Sequence, residues 1–446
     1  MPSAIFTIAR SGLTATRRSL ELTAQNVANA ANPDFSRRSL TQGELVMTGS
    51  IGLNAVDSLG GVRPGVVERA ESALVQRQAR DASSALSTAD AEFRALRDAE
   101  SAIETSGLFA GLVDFEAALT RLEGNPLEPA LRLSALESAR KLAGNFRVAD
   151  GTLANARALT QGEASSEILA VNELAGDLAR INADLVGARE GTSGRAALLD
   201  ARDKALRGLA EQFAITPTIN ANGSVDVALA GMPGVALVTG ATAQSVSVTF
   251  AADGTASFAV GGAGFAPAGG AMAGRASALT EMAVLQASLD ALAASAITIA
   301  NGAQSAGVAA DGSAGQPLFA GTGAGDIAVV LASAAGLATA PAGAAAGSRD
   351  TANLAALIAA LGAPTGPTAG ADTLLMGLSS RVSALETRRD GLAVVSASAE
   401  AELLRETGVD LDTEAANLVR LQQAFEANSR VVQAAAELFD TILSIR

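Results

Sequence analysis

The chain has 446 residues, 49% of them hydrophobic, but its aromatic side chains are 13 Phe with no Trp or Tyr. It carries 32 basic against 46 acidic residues, a formal net charge of −14, which opposes nonspecific nucleic-acid binding because that needs clustered cations to displace counterions. With neither Cys nor His, it has no means to build a disulfide framework, a thiolate metal site or a Ser-His-Asp or Cys-His nucleophile system.

The first element is a helix in which Phe6, Leu13, Leu20 and Val27 recur every seven residues. Its opening, Met1 to Arg10, does not read as a secretory signal: the single basic residue follows the apolar stretch, and no small-residue cleavage site closes it. Residues 36–65 are mixed, with Gly49, Gly52, Gly60, Gly61 and Pro64 as breakers. A long helical pattern marked by Leu86, Phe93, Leu96 and Ile103 follows; Gly107 and Gly111 interrupt it, and Leu112, Phe115 and Leu119 resume it. Asn125-Pro126 ends that run, since proline pushes its predecessor out of the helical region. One further helix is marked by Leu133, Leu136, Phe146 and Leu153, and another by the three-four stripe Val171, Leu174, Leu178, Ile181 and Leu185. Residues 200–213 extend the helical region.

The character changes at Ile215. Residues 224–229 and 245–250 alternate with period two beside the turn signals Asn222-Gly223 and Asp253-Gly254, which predicts a small antiparallel β domain inserted into a helical body. Helix resumes at Leu285, Leu289, Leu292 and Ile299. Residues 302–372 are rich in Gly, Ala and Pro, with a short strand expected at 326–331 and a short helix near 351–361. Leu375, Leu378, Val382, Leu385 and Leu392 open the last helical stretch, which Gly408 interrupts. Apolar stretches are read as broken by charge short of the roughly 20 residues a membrane span requires.

The final helix repeats the seven-residue pattern: Leu411, Leu418, Phe425, Val432 and Phe439 form one row, and Leu421, Ala435 and Ile442 its companion. Such a repeat is the seam of a helix packed lengthwise on another. On periodicity alone, core helices of a globular protein fit it equally well. Asn26, Asn29 and Asn428 lie in or beside the seams; a buried Asn there fixes register, and facing solvent is the plainer reading.

Several segments carry a family resemblance. Ser11-Gly12-Leu13, the Asn26-Val27-Ala28-Asn29 block running to Arg38, and the stretch from Gly408 through Gln422-Gln423-Ala424-Phe425 to Leu443 resemble the terminal regions of bacterial flagellar rod, hook and junction proteins. Leu199-Asp200-Ala201-Arg202-Asp203 after Val171-Asn172-Glu173-Leu174, Asn125-Pro126 with Arg132, and Asn301 to Gln304 with Asp311-Gly312 and Pro317-Leu318-Phe319 narrow it to the family of hook-associated protein 1. Ser305 stands where many relatives carry His, Phe35 and Phe425 where Tyr is usual, and the chain is short for the family.

The resemblance implies a mainly α fold with an inserted small antiparallel β domain. It is that of an elongated, nested axial protein with paired N- and C-terminal coiled-coil-like helices. The expected domains are 1–35 with 405–446 as a terminal-helix core, 36–214 with 266–404 as a helical body, and 215–265 as the β insertion. It further implies a non-enzymatic structural subunit at the hook–filament junction, extracellular and delivered by flagellar type III export with an uncleaved N-terminus. Implied partners are the hook protein, the second junction protein, further copies of the chain, and an export chaperone at the C-terminal helix; nucleic acid, membrane insertion and cofactors are not among them. The expected assembly surface is Phe6, Leu13, Leu20, Val27, Leu411, Leu418, Leu421, Phe425, Val432, Phe439 and Ile442. A rod or hook subunit is the nearest alternative, and a secreted adhesin or an enzyme lies further off.

Three motifs read more plainly than they first suggest. Asp200, Arg202 and Asp203 are read as solvated charges or ion-pair partners rather than an acid–base pair. Glu414 is either a buried partner of an Arg or, more simply, a helix-start charge matched to the macrodipole. Asp311-Gly312 followed by Gly315 lacks the remaining ligands of a calcium loop and reads as a turn, and Gly321 to Gly325 lacks the Lys-Ser/Thr of a phosphate loop.

Overall fold

A computed structural model of the protein describes residues 2–44, 60–232 and 234–444, without the side chains of residues 2–4, 442 and 443. Helix makes up 65% of the chain, and the sheets are small and antiparallel, so the fold is mainly α. The chain divides into two compact units. One comprises Met1–Ser84, Ala170–Ser245 and Ala393–Arg446; the other comprises Ala85–Leu169 and Val246–Leu392.

In the first unit, helix α1 (Pro2–Ala28) lies along helix α9 (Leu411–Ser444). The pair is antiparallel: Gly12 abuts Asn428, while Arg37, beyond the end of α1, meets Glu414 in the first turn of α9. After α1 the chain forms β1 (Arg38–Glu44), which pairs with β2 (Val62–Arg69) in the register Arg38↔Arg69, with a bulge between Leu40 and Gln42. Gly49 and Gly52 lie outside the described residues. Helix α2 (Ala73–Thr105) begins in this unit, α3 (Leu108–Gly124) belongs to the other, α4 (Pro129–Gly187) has its last part from Ala170 in this one, and α5 (Ser193–Gln212) lies wholly within it. The predicted alternation at 224–229 is realised as β4 (Val225–Leu229), whose Val225, Val227 and Leu229 are buried. It pairs with β3 (Ile215–Ile219) and β5 (Ala236–Thr239), and β6 (Thr242–Ala243) completes the sheet. Asn182 fastens this sheet to α4. Its amide donates to the carbonyls of Val225 and Gly240 at 2.8 and 2.7 Å and accepts from the Val225 N–H at 2.8 Å.

In the second unit, β7 (Val246–Phe250), β8 (Ala256–Val260) and β9 (Ala263–Phe265) make a separate three-stranded sheet. Phe250 and Ala256 pack against a core that includes Phe93, Leu96, Ile103, Leu153, Met282 and Leu378. The larger core joins α3, α4, α6 (Ala271–Ser305) and α7 (Ala352–Leu361). Phe115 stands edge-on to Phe319 at 6.2 Å, and Ala135, Ala139, Ala293, Ala296 and Ala300 bring helix backbones close together. Helix α8 (Pro367–Thr407) ends just before Gly408, where the sequence predicts a break, and Asp410 caps α9 by accepting the Thr413 N–H at 2.7 Å.

The Gly/Ala-rich segment 302–350 is held by two polar hubs. Arg132, 3% exposed, donates to the carbonyls of Pro126 and Leu337 at 2.5 and 2.8 Å and to the Thr339 hydroxyl at 2.8 Å. The Asn301 amide accepts from the N–H groups of Leu318 and Phe319 at 2.8 and 3.0 Å and donates to the Phe319 carbonyl at 2.8 Å. Burial of these side chains is tolerable because each polar group is satisfied.

Four local expectations are corrected. The two helices read between Leu133 and Leu185 are one, α4, because Gly144, Gly151 and Gly162 weaken a helix without ending it. Gly111 does not interrupt a helix but lies inside α3, where a Cβ would stand 2.6 Å from the Asn145 amide nitrogen. The strand expected at 326–331 shrinks to Ala328–Val329. The apolar run in α6 is not broken by charge as expected: α6 is long and apolar enough to cross a membrane by length and composition, with an 18-residue window of mean hydropathy 1.6. A core helix built from Ala passes the same test, and Leu289, Ala293, Ala296 and Ala300 of α6 are at most 1% exposed.

Candidate assembly interface

The terminal helices each carry two kinds of heptad row, and the pairing of α1 with α9 uses the smaller-residue kind. On α1 the buried row is Ala9, Thr16 and Thr23, with Ala15, Leu22 and Asn26 beside it. On α9 it is Glu414, Leu421, Asn428 and Ala435, of which Glu414 and Ala435 are buried and the other two half-buried. Small side chains let the helices approach closely. At Gly12 a Cβ would lie 2.9 Å from the Asn428 Oδ1.

The larger apolar residues remain on the outside. Phe6 is 40% exposed, Val27 39%, Leu411 54%, Phe425 38% and Phe439 53%. Ile5, Ile8, Val431 and Leu438 are exposed as well. Of the remaining expected surface residues, Leu13, Leu20, Leu418, Leu421 and Val432 are half-buried, and the Ile442 side chain lies outside the described residues. Within the chain, Leu421 thus belongs to the inner row, whereas Phe425 and Phe439 do not. Burying one such side chain contributes about 1.5–3 kcal/mol, so these rows hold free energy that this chain's own fold leaves unused.

The exit from α1 is fixed by polar contacts. Asn26, 1% exposed, donates to the Arg38 carbonyl at 2.9 Å and accepts the Arg38 N–H at 3.0 Å, standing in for a strand neighbour. Asn29 is half-buried, and its side-chain amide donates back along its helix to the Gln25 carbonyl at 2.9 Å. Asp34 is paired with Lys204 at 2.9 Å and with Arg207. Burial works to raise its pKa, but those two cations hold the carboxyl below the usual aspartate range. Glu414 is the buried partner of Arg37, 2.7 Å away, so the simpler helix-start reading is incomplete.

Asp200, Arg202 and Asp203 are ion-pair partners and are not solvated. Arg38 and Arg69 reach Asp200 at 2.8 and 2.7 Å; Arg69 and Arg202 reach Asp203 at 2.6 and 2.8 Å; and Gln76 donates to Asp203 at 3.0 Å. All five charged side chains are 3–11% exposed. Burial raises the Asp203 pKa, yet Arg202 and Arg69 together hold it below the ordinary value. Burial likewise lowers that of Arg69, and Asp203 and Asp200 more than restore it. Every carboxylate oxygen is engaged by a cation, so neither Asp is free to act as a base. The cluster ties β1, β2 and α2 to α5. Sequence reasoning missed Arg38 and Arg69 because their partners lie 162 and 131 positions away. For Arg38 the available signal was its place in the block 26–38 matched to a family; Arg69 lies in no such block.

The Asp311 carboxylate accepts from the N–H and hydroxyl of Ser313 at 2.9 and 2.6 Å, the geometry of a turn.

The family model for the flagellar hook-associated protein FlgK helical domain matches residues 96–319, half of the chain. The chain belongs to the FlgK family. A second model, for the flagellar basal body rod FlgEFG protein C-terminal region, matches residues 402–445 and so covers α9. Flagellar hook-associated protein 1 of Bacillus subtilis (strain 168) is 25% identical over 222 residues, 48% of this chain and 44% of the relative. The protein of the same name from Salmonella typhimurium (strain LT2) is 25% identical over 260 residues, 57% of this chain and 46% of the relative. The chain therefore matches under half the length of these curated relatives. The solved structure of the flagellar hook junction protein FlgK from Burkholderia pseudomallei is similar with a TM-score of 0.48 and 23% identity, covering 55% of this chain and 46% of that one.

Proposed function

We propose that this protein is a structural, non-enzymatic subunit of the bacterial flagellum at the hook–filament junction, joining hook to filament by packing of its terminal helices. The observation that carries the reading is the division of labour on α1 and α9. The small-residue rows pair within the chain, and the row containing Phe6, Phe425 and Phe439 stays outside. FlgK family membership supplies the setting.

In this reading residues 1–35 with 405–446 form the assembly core, with Phe6, Leu13, Leu20, Val27, Leu411, Leu418, Leu421, Phe425, Val432, Phe439 and Ile442 as its surface. Residues 36–214 with 266–404 are the helical body, and 215–265 are the inserted β domain. The partners are the hook protein on one side, the second junction protein on the other, further copies around the axis, and an export chaperone on α9. A chaperone there shields an apolar stripe that otherwise invites aggregation. The location is extracellular, reached by flagellar export with the N-terminus retained.

Deleting the gene and imaging the cells tests this. Hooks without filaments, with flagellin shed to the medium, are expected, and expression of the intact chain restores filaments. Normal filaments on the deletion strain contradict the reading.

A further inference from the structure

The charged side chains that this fold buries are matched, with one exception. Arg80, on α2, is 9% exposed, and its guanidinium forms no hydrogen bond or ion pair with any described residue. Every other buried charged side chain among the described residues is paired with an opposite charge or hydrogen-bonded to the backbone. Leaving the donors of a buried guanidinium unmade is costly, because they have been withdrawn from water without replacement.

The neighbouring ion-pair cluster explains why Arg80 is left over. Asp203 acts on Arg80 electrostatically, but its oxygens are taken. Oδ1 accepts from Nε and Nη2 of Arg202 at 3.0 and 2.8 Å, and Oδ2 accepts from Arg69 Nη2 and Gln76 Nε2 at 2.6 and 3.0 Å. Two bonds on each oxygen use both of its lone pairs. Asp81 follows Arg80 on α2, but it is exposed and makes no ion pair with it. Inside, Arg38, Arg69, Arg80 and Arg202 share the buried carboxylates of Asp200 and Asp203. Glu71 approaches Arg69 at 3.5 Å, but its side chain is 60% exposed. Buried positive charge is therefore in excess at this place, although the chain as a whole carries −14. Burial lowers the Arg80 pKa, Arg202 and Arg207 lower it further, and Asp203 and Asp81 restore only part.

We propose that Arg80 binds one small inorganic oxyanion, of the phosphate or sulfate class, which neutralises the excess charge beside Asp203 and completes the polar contact between α2 and α5. The 9% exposure of Arg80 sets the size, since it admits a small ion and no bulky ligand. The guanidinium sets the class. Its planar fork presents parallel N–H groups that match two oxygens of one anion, which a halide does not offer.

Inorganic phosphate is the probe, with sodium chloride at equal ionic strength and pH as the control. In equilibrium dialysis the full wild-type chain should bind phosphate saturably. At about tenfold the half-saturating concentration, its Tm should rise by about 2 °C over the chloride control. Phosphate also stabilises proteins generally by exclusion from their surface. That part does not saturate and is common to all variants. Arg80→Met keeps the length of the side chain and removes its charge, and it should lose the saturable binding. Arg80→Lys keeps the charge without the fork and should bind about fivefold more weakly, or worse. Sulfate should displace phosphate from the wild-type chain, and chloride should not. No saturable binding by the wild-type chain overturns the proposal whatever the variants do. Saturable binding that survives in Arg80→Met, or displacement by chloride as effective as by sulfate, overturns it as well.

Discussion

Arg37 and Glu414 stand 377 positions apart in the chain, yet the guanidinium Nε lies 2.7 Å from the carboxylate Oε1. Glu414 is 1% exposed, and the Arg37 backbone N–H also donates to the Thr407 carbonyl at 2.8 Å. The turn after α1 is thereby fastened to the start of α9 on both sides of Gly408. One buried carboxylate aligns the two ends of the sequence.

Replacing Glu414 with Ala leaves Arg37 without its partner, but Arg37 is 38% exposed and water compensates in part. A loss of about 1–3 kcal/mol in the docking of α9 is expected. Hydrogen exchange is the check: amides in 411–444 exchange faster in the variant, while those between 108 and 153 are unchanged. Equal protection of 411–444 in both proteins would mean the ion pair contributes nothing to alignment.

The Arg38–Asp200–Arg69–Asp203–Arg202 cluster has a different signature. Asp203→Asn leaves buried guanidiniums uncompensated and is expected to destabilise by about 3–5 kcal/mol, read from the urea midpoint. The pH dependence has a defined sign. The folded-state pKa of Asp203 is depressed, so its contribution is complete above the ordinary aspartate pKa and is lost as pH falls through the lower folded value. Wild-type stability should therefore decline on acidification below about pH 4, the region of the unfolded aspartate pKa. The Asp203→Asn variant should decline less over the same range.

Two glycines separate tolerated crowding from crowding that is not. A Cβ at Gly12 meets the flexible end of Asn428, which can move aside; one at Gly274 runs into the backbone carbonyl of Thr88 and the backbone nitrogen of Glu92. Gly274→Ala should lower stability by about 1–3 kcal/mol, the usual range for overpacking. Gly12→Ala should cost less than Gly274→Ala in thermal melts, because the Asn428 side chain can turn aside and Ala is the better helix former. Equal effects would argue against close approach at Gly274.

Much of the helical order was legible in the sequence because apolar periodicity and breakers act locally. Asn125-Pro126, the break at Gly408 and the alternation at Val225, Val227 and Leu229 all appear where their local chemistry predicts. The continuity of α4 was not legible, since glycine weakens a helix by an amount that tertiary packing overrides. At the terminal surface the seven-residue period was plain, but not which row pairs within the chain. That choice depends on closeness of approach. Gly12 against Asn428 and Ala9, Thr16 and Thr23 on one side of α1 favour the small rows, a comparison between segments at opposite ends of the sequence. Asn26 illustrates the same limit: its block was recognisable as a pattern, while its role in bridging to the Arg38 backbone required the fold.

The outer row is the centre of this account, and Phe425→Asp tests it most directly. Phe425 is 38% exposed and lies off the inner row and outside both hydrophobic cores, so the substitution spares those cores while removing whatever packing the covered part of the ring makes within its own chain. Placing a charge on a surface that neighbouring copies cover removes the burial of the exposed remainder of the ring, about 1 kcal/mol per subunit, and adds the larger cost of desolvating a carboxylate. As a purified chain the variant should keep its helical circular dichroism and a cooperative melt of the two hydrophobic cores. Electron microscopy of cells that express it should show hooks without filaments. Normal filaments on those cells, with the variant present at wild-type levels, would contradict the assignment of the outer row to assembly.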